Sequence, residues 1–430
     1  MTITRRTALS LGGLSLGSMS LGALSLATPR LALAQGMTLQ ASYSLAAYRD
    51  VMEPAARQFQ DATGIRVAYR TPVLGTHDEH LQQVLRWGIT GDLPDVTFQG
   101  NHLMRVLAER QLTVPLDPFL AAEPDWAAQG YAPATREVGA FRGRVHGLPF
   151  QVSVPVVFVN ADLAARAGAD PEALPQDWPG LLALAARINA PAQNIQGGHF
   201  DIGGGGSWTW QSLVTAHGGR MMDAAEQRIT FDGPEGLEAM RIVRGFGQAG
   251  MVDLTQPQML QAFGAGLIGV MPSFNAALGG LERAAGERFR IRTVAWPLPS
   301  PQGRVPAGGR TGLILARDPA RQQAAWRYLK FMTGPAVQTS LVRQTGSAPA
   351  NLLPVQRPEM LGDFLRANPN QHAGIARVPA LTSWFSFPGE HTLRINQLVN
   401  EHIRTVAILR RTPEDALAAL ARDIRPLLPA

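Results

Sequence analysis

Residues 37–70 read MTLQASYSLAAYRDVMEPAARQFQDATGIRVAYR, and the order of patterns inside them decides the fold class. Met37–Ser44 has the character of a strand. Tyr48–Ala62 then places Val51, Met52, Ala55 and Phe59 on one helical face and stops at Thr63-Gly64. Ile65–Arg70 is a second strand, Asp78–Trp87 a helix, Asp95–Gln99 a third strand and Leu103–Leu112 a helix. This alternation predicts an α/β fold with a mainly parallel sheet covered by helices. In such sheets ligands collect beyond the carboxyl ends of the strands. Ser42, Tyr43, Gln99, Gly100 and Asn101 fall there.

The whole chain has 430 residues, more than one hydrophobic core usually organises, so two lobes are expected. With 45% hydrophobic and 17% charged residues, it is neither a disordered chain nor a coiled coil. Cysteine is absent, which excludes disulfides, thiolate metal sites, cysteine nucleophiles and a lipid-anchored cysteine. A formal charge of +6 hints at an acidic partner. Yet Lys330 is the only lysine and the arginines are scattered, so no basic block tracks a phosphate backbone and nucleic acid is not expected.

Thr4-Arg5-Arg6-Thr7, an apolar run from Ala8 to Ala27 and the small residues Ala32-Leu33-Ala34 make an export signal over residues 1–34. The paired arginines point to the twin-arginine route. Cleavage after Ala34 would remove Arg5, Arg6 and Arg30 and no acid, which halves the formal charge to +3. No later stretch is apolar for long enough to span a membrane.

Beyond the opening units, Phe141–Val145 starts an extended stretch that continues to Val159-Asn160, long enough to pass from one lobe to the other. Leu174–Ile188 reads as a helix. Asp232-Gly233-Pro234-Glu235 opens another, with Leu237, Met240, Val243 and Phe246 on its buried face. Leu267–Met271, Phe289–Val294 and Gly312–Ala316 read as short strands, Ala320–Thr333 as a helix, and Thr412-Pro413-Glu414-Asp415 starts the last helix.

Chemical motifs are few. Gly13-Leu14-Ser15-Leu16-Gly17 matches a nucleophile elbow but lies inside the export signal. Gly203–Gly206 lacks the Gly-Lys-Ser/Thr that a phosphate loop needs, and reads as a loop beside a cleft. His77-Asp78-Glu79-His80 lacks the ligand spacing of zinc hydrolases and reads as a solvated helix start. Neither metal nor cofactor is expected. Ser207-Trp208-Thr209-Trp210 and Trp384-Phe385-Ser386-Phe387 set aromatic faces beside hydrogen-bonding groups, the combination a sugar or polyol needs. Trp178 and Trp326 fall on helical patterns and belong to the core.

The order of segments resembles the family 1 extracellular solute-binding proteins of ATP-driven importers, the group that includes maltose-binding protein, over nearly all of residues 37–430. The resemblance rests on the run from Gly147 through Gln151-Val152-Ser153-Val154-Pro155 to Asn160, then Ala167-Gly168 and Trp178. Ala262–Met271, Ala307-Gly308-Gly309, Tyr328–Phe331 and Thr345-Gly346-Ser347-Ala348-Pro349 continue it. Thr392-Leu393-Arg394-Ile395-Asn396 looks closest to the periplasmic glycerol-3-phosphate-binding proteins.

That resemblance implies a two-lobed periplasmic binding protein fold with the ligand cleft between the lobes. It assigns residues 35–147 and 269–320 to lobe 1, and 148–268 and 321–430 to lobe 2. It implies that Arg394 contacts a ligand phosphate, that Ser153, Ser273 and Gly309 hydrogen-bond the ligand, and that Trp208 stacks on it. The family's second stacking tryptophan is glycine here, at Gly205. His77 and Ser347 stand where relatives carry ligand tyrosines, and Gln99 or Asn101 lies near the position of an expected acid. Arg310 is either a second positive group or a surface residue. The implied function is a monomeric, soluble periplasmic receptor that delivers a carbohydrate or polyol, with or without a phosphate, to an inner-membrane ABC permease. The rival reading is an exported hydrolase of sugars or phosphoesters, which would need two carboxylates facing each other across the cleft.

Overall fold

Hydrogen-bonding parity along the strands explains how the chain builds two sheets. The computed structural model describes residues 36–44, 46–123, 125–131, 133–203 and 207–429. The expected export segment 1–34 and Gly205 lie outside those residues. Strand β1 (Thr38–Tyr43) pairs in parallel with β2 (Arg66–Tyr69) and with β3 (Val96–Gly100). The intervening helices take opposite faces of that sheet. Arg49–Thr63 packs Val51, Met52, Ala55 and Phe59 into one core, and His77–Thr90 packs Leu81 and Val84 into another. The first helix ends on Gly64, whose φ of 73° suits a left-handed cap. The second starts with a reciprocal cap between Thr76 and Glu79.

The long extended stretch is broken twice. Strands β4 (Ala140–Phe141) and β5 (Arg144–Val145) form a hairpin around Arg142 and Gly143, both with positive φ. Strands β6 (Gly147–Ser153) and β7 (Pro155–Asn160) then flank Val154, where the chain leaves the first sheet for the second. Along β7, Val157 and Val159 enter one core while Val156 and Phe158 enter the core on the other face, as a period of two requires. Strands β8 (Gln196–Gly198), β9 (Ile268–Phe274) and β10 (Ile291–Ala295) complete the second sheet in the order β10-β7-β9-β8. Its β10–β7 and β7–β9 pairs are antiparallel and only β8–β9 is parallel.

Strand β11 (Val305–Ile314) is buried throughout and ties the two halves together. Val305 and Ala307 lie in the core of the second lobe and Ile314 in that of the first. It runs antiparallel to β3 and β6, and its start pairs in parallel with β12 (Leu381–Ser383). The α/β, two-lobed architecture is therefore as the sequence implied, with a different division of the chain. Strands β9 and β10, within residues 268–295, belong to the second sheet, because they bond to the two edges of β7 rather than to β3 or β11. The helix Pro319–Met332 packs Ala325, Trp326 and Leu329 against the first sheet, so it stays with the first lobe. The expected helix at Leu174 starts instead at Trp178, since the Asp177 carboxylate accepts from the Gly180 amide and caps it there. Trp178 and Trp326 are core residues, each 3% exposed.

Asp95 shows how the first sheet is pinned. Its carboxylate accepts from the Gln40 amide at 2.7 Å and from both Nε and Nη2 of Arg321 at 2.6 Å, linking β1, β3 and the helix Pro319–Met332. Asp95→Ala is expected to destabilise the protein by about 2–3 kcal/mol in urea unfolding, between the values for exposed and buried pairs. Asp95→Asn, which can still accept from Gln40, is expected to cost less.

Candidate functional site

At Gly309 strand β11 lies unusually close to its sheet neighbour β6. A Cβ there would sit 2.0 Å from the Gln151 carbonyl oxygen, and φ is +106°, so only glycine fits. The Asn101 side-chain amide donates to the carbonyl oxygens of Ala307 and Gly308 at 3.0 and 2.8 Å and itself accepts from the Thr311 hydroxyl at 2.7 Å. These contacts hold β11 against β6 and leave a cleft of about 440 Å³ over the crossing. Tyr48, His77, Asp78, His102 and Arg310 line it from the first lobe. Asp201, Gly203, Trp208, Gln256 and Phe274 line it from the second, with Trp384 and Asn400 from the C-terminal segment and Gln151, Ser153, Gly308 and Gly309 along the crossing strands.

Charge in the cleft is sparse. Arg310 is 1% exposed, donates through Nη1 to Gln151 Oε1 at 2.9 Å, and lies 3.7 Å from the centre of the Tyr48 ring. Burial draws its pKa below the ordinary arginine value, with Tyr48 opposing the fall. Gln151 spends its amide on the Ser153 and Ser347 hydroxyls at 2.7 and 3.2 Å. Asp201 is buried in the other wall. Its carboxylate accepts from Ser273 Oγ at 2.7 Å, from the Gly203 amide at 2.8 Å and from Gln256 Nε2 at 3.0 Å. Burial still raises its pKa, against the pull of Ser273, Gly203 and Gln256.

A column of rings closes one side. His102 stacks on Trp384 with centroids 3.7 Å apart, and Trp384 lies 6.1 Å from Trp208. The Trp208 indole donates to the Pro306 carbonyl at 2.9 Å, whereas the Trp384 indole nitrogen and both His102 ring nitrogens are buried without a hydrogen-bond partner. Beside this column, His77 shares a 3.1 Å hydrogen bond with Ser44, and His80 a 3.0 Å bond with Ser42. Arg105, from the first lobe, pairs with Glu226 of the second at 2.6 Å and donates to the Ser386 carbonyl at 3.0 Å, so the lobes are also joined at the rim. No group of histidines and acids suited to a metal ion occurs among the described residues.

The structure sorts the expected site residues into three sets. His77, Ser153, Trp208, Gly309 and Arg310 line the cleft. Asn101, Ser273 and Ser347 lie behind it and hold lining groups, namely the β11 carbonyls, Asp201 and Gln151. Gln99 is fully buried with neither amide atom partnered, and nothing in the structure accounts for it. Two expectations are corrected. Tyr43 is not among the lining residues: Leu39, Ala41 and Tyr43 alternate into the core of the first lobe, where Tyr43 packs edge-on against Tyr69. Arg394 is outside the cleft lining: it shares the outer face of the helix Thr392–Ala407 with Gln397 and Glu401, at 3.4 and 3.7 Å, while Ile395, Val399 and Ile403 face inward. Arg310 is no surface residue.

Sequence reasoning missed Asp201, Tyr48, His102, Gln151 and Gln256. For Gln151 a signal existed, since Gln151 and Ser153 are polar at alternate positions of an otherwise apolar strand.

A family model described as bacterial extracellular solute-binding protein matches residues 54–360. A probable amino-acid ABC transporter periplasmic-binding protein of Sinorhizobium fredii is 23% identical over 409 residues, covering 91% of this chain and 90% of the relative. The sn-glycerol-3-phosphate-binding periplasmic protein UgpB of Yersinia pestis is 20% identical over 290 residues, 64% of this chain and 65% of that protein. Among solved structures, UgpB of Mycobacterium tuberculosis in complex with glycerophosphocholine superposes with a TM-score of 0.76 at 18% identity, covering 90% of this chain and 97% of the other. No helix among the described residues is long and apolar enough to cross a membrane.

The buried histidines predict a pH dependence. Burial lowers His80 and His102 from 6.5 to about 3, Arg310 adding to the effect on His80. Both are neutral in the folded state, whereas the unfolded chain takes up a proton at each near pH 6.5, so stability is lost as pH falls from that value towards 3. Between pH 7 and pH 5 each should contribute about 2 kcal/mol of loss. Thermal or urea unfolding at the two pH values should show a smaller loss in His80→Gln than in the unchanged protein. An identical slope would refute the account.

Proposed function

This chain belongs to the bacterial extracellular solute-binding proteins, and we propose that it is the periplasmic receptor of an ATP-driven importer for a carbohydrate or polyol. One observation carries the reading. The cleft between the lobes sets the rings of Trp208 and Trp384 among hydrogen-bonding groups from both walls, including Ser153, Gln151, Gln256 and Asn400. Sugar and polyol carbons pack on indole faces while their hydroxyls need donors and acceptors at the edges. A phosphorylated polyol such as glycerol-3-phosphate is the finer form of this reading, supported by the similarity to UgpB.

Binding would bring the lobes together about the β6–β7 and β11 crossings, as contacts from both walls favour the closed state. The Arg105–Glu226 pair and the His102–Trp384 stack are contacts of that kind, each joining groups on opposite sides of the cleft. The closed receptor, a monomer exported through the twin-arginine route, would dock on its permease and release the solute there. The receptor performs no chemistry itself. A hydrolase is not favoured: Asp78 and Asp201 are the acids of the lining, and both Asp201 oxygens are already taken by protein donors.

Calorimetric titration against neutral sugars, polyols, their phosphates and amino acids tests the assignment. At least one carbohydrate or polyol is expected to bind and to raise the melting temperature. Trp208→Ala should weaken it by about tenfold or more, from lost ring packing. Binding of amino acids alone, as the name of the Sinorhizobium relative suggests for that protein, would overturn the carbohydrate reading.

A further inference from the structure

Among the described residues Arg310 is the only arginine or lysine that lines the cleft, and its hydrogen bonding is incomplete. A guanidinium stays charged in a protein, and a charge taken out of water needs either a counter-ion or a full set of acceptors. Arg310 has neither. Nη1 is used by Gln151 Oε1, one face of the guanidinium lies on the Tyr48 ring, and Nε and Nη2 have no acceptor at all. Those two nitrogens form one edge of the group, with parallel N–H bonds matched to two oxygens of a carboxylate or phosphoryl group.

The surroundings offer no internal answer to that edge. Asp201 is committed to Ser273, Gly203 and Gln256, and Asp78 lies 3.9 Å from the neutral ring of His102 and makes no ion pair with Arg310. His77 is held neutral, chiefly by burial and next by Arg310 itself, and an imidazole offers no negative charge in either protonation state. Gln151 is locked by Ser153 and Ser347, which fixes the guanidinium in place before any ligand arrives. Such fixing removes an ordering cost from binding.

We propose that Arg310 is the anion subsite of the cleft, and that the solute is a polyol or sugar carrying a carboxylate or phosphoryl group whose oxygens accept from Nε and Nη2. This rests on the receptor reading above and specifies its solute class. It transfers the anion-binding role from Arg394, which is exposed and already beside Glu401, to a buried position on β11.

The test is a set of calorimetric titrations of the purified protein with matched solutes: glycerol against glycerol-3-phosphate, and glucose against gluconate and glucose-6-phosphate. In the unchanged protein an anionic member should bind at least about tenfold tighter than its neutral counterpart. Its affinity should fall between about 20 and 500 mM NaCl while that of the neutral solute holds. Arg310→Gln should weaken the anion by roughly 10- to 100-fold and the neutral solute by less than about threefold, and Arg394→Ala should change neither. Tighter binding of phosphates or of carboxylates distinguishes the two sources of the anion. Equal weakening of both solutes in Arg310→Gln, or a salt-independent preference for neutral solutes, overturns the subsite and leaves the receptor reading standing. Absence of binding by every sugar, polyol and derivative overturns both. The salt arm needs no variant, so it decides the matter even if Arg310→Gln fails to fold.

Discussion

The contact between Gly309 and the Gln151 carbonyl oxygen is the constraint on which the rest of the molecule depends. It fixes how closely β11 lies against β6, and from that spacing three consequences follow. Gly308 comes to rest under the Trp208 ring, where a Cβ would lie 3.1 Å from indole carbons. Gln151 comes within 2.9 Å of the Arg310 guanidinium. Asn101 can reach two successive carbonyl oxygens of β11. A single methyl group at position 309 would separate the strands and undo all three. Backbone geometry, more than any side chain, therefore sets the floor of the cleft.

Above that floor the molecule tolerates unmet polarity. Buried polar groups are normally paired, yet Arg310, Trp384 and His102 each keep nitrogen atoms without partners in or beside the cleft. By contrast, the equally buried Asp201 and Asn101 are fully engaged. Unmet polarity is not confined to the cleft, since Gln99, Trp178 and Trp210 also keep buried atoms without partners, but among the described residues Arg310 is the charged group in that condition.

Much of the fold was legible because local patterns and tertiary structure agree. The strand–helix units of residues 37–112 have clear periodicity and good caps, at Gly64 and at Thr76 with Glu79. The division between lobes was not legible, because it depends on which strand bonds to which, and β9 and β10 carry no local mark of their partner. Side-chain direction was the other gap. Tyr43 was placed by its position at a strand end, but parity turns it into the core and leaves Ser42 and Ser44 on the opposite side. Arg394 was placed by resemblance, and its spacing to Gln397 and Glu401 puts it on the outer stripe of its helix. Ser273 and Ser347 were found for the right region and the wrong contact, since each supports another polar residue. Asp201 is a lone acid between Phe200 and Ile202, and nothing in such a triplet announces three converging donors.

The strand that floors the cleft also fills both cores, which has a consequence for how the protein can diversify. Residues on β11 cannot be exchanged freely, since every one is buried and a Cβ at Gly308, Gly309 or Gly312 would meet neighbouring atoms. Trp384, Gln256 and Asn400 enter the cavity from a loop and two helices instead, where a change of side chain leaves the ladder intact. The cleft thus has a fixed floor and exchangeable walls, and a lineage acquiring a new solute would be expected to rewrite the walls first.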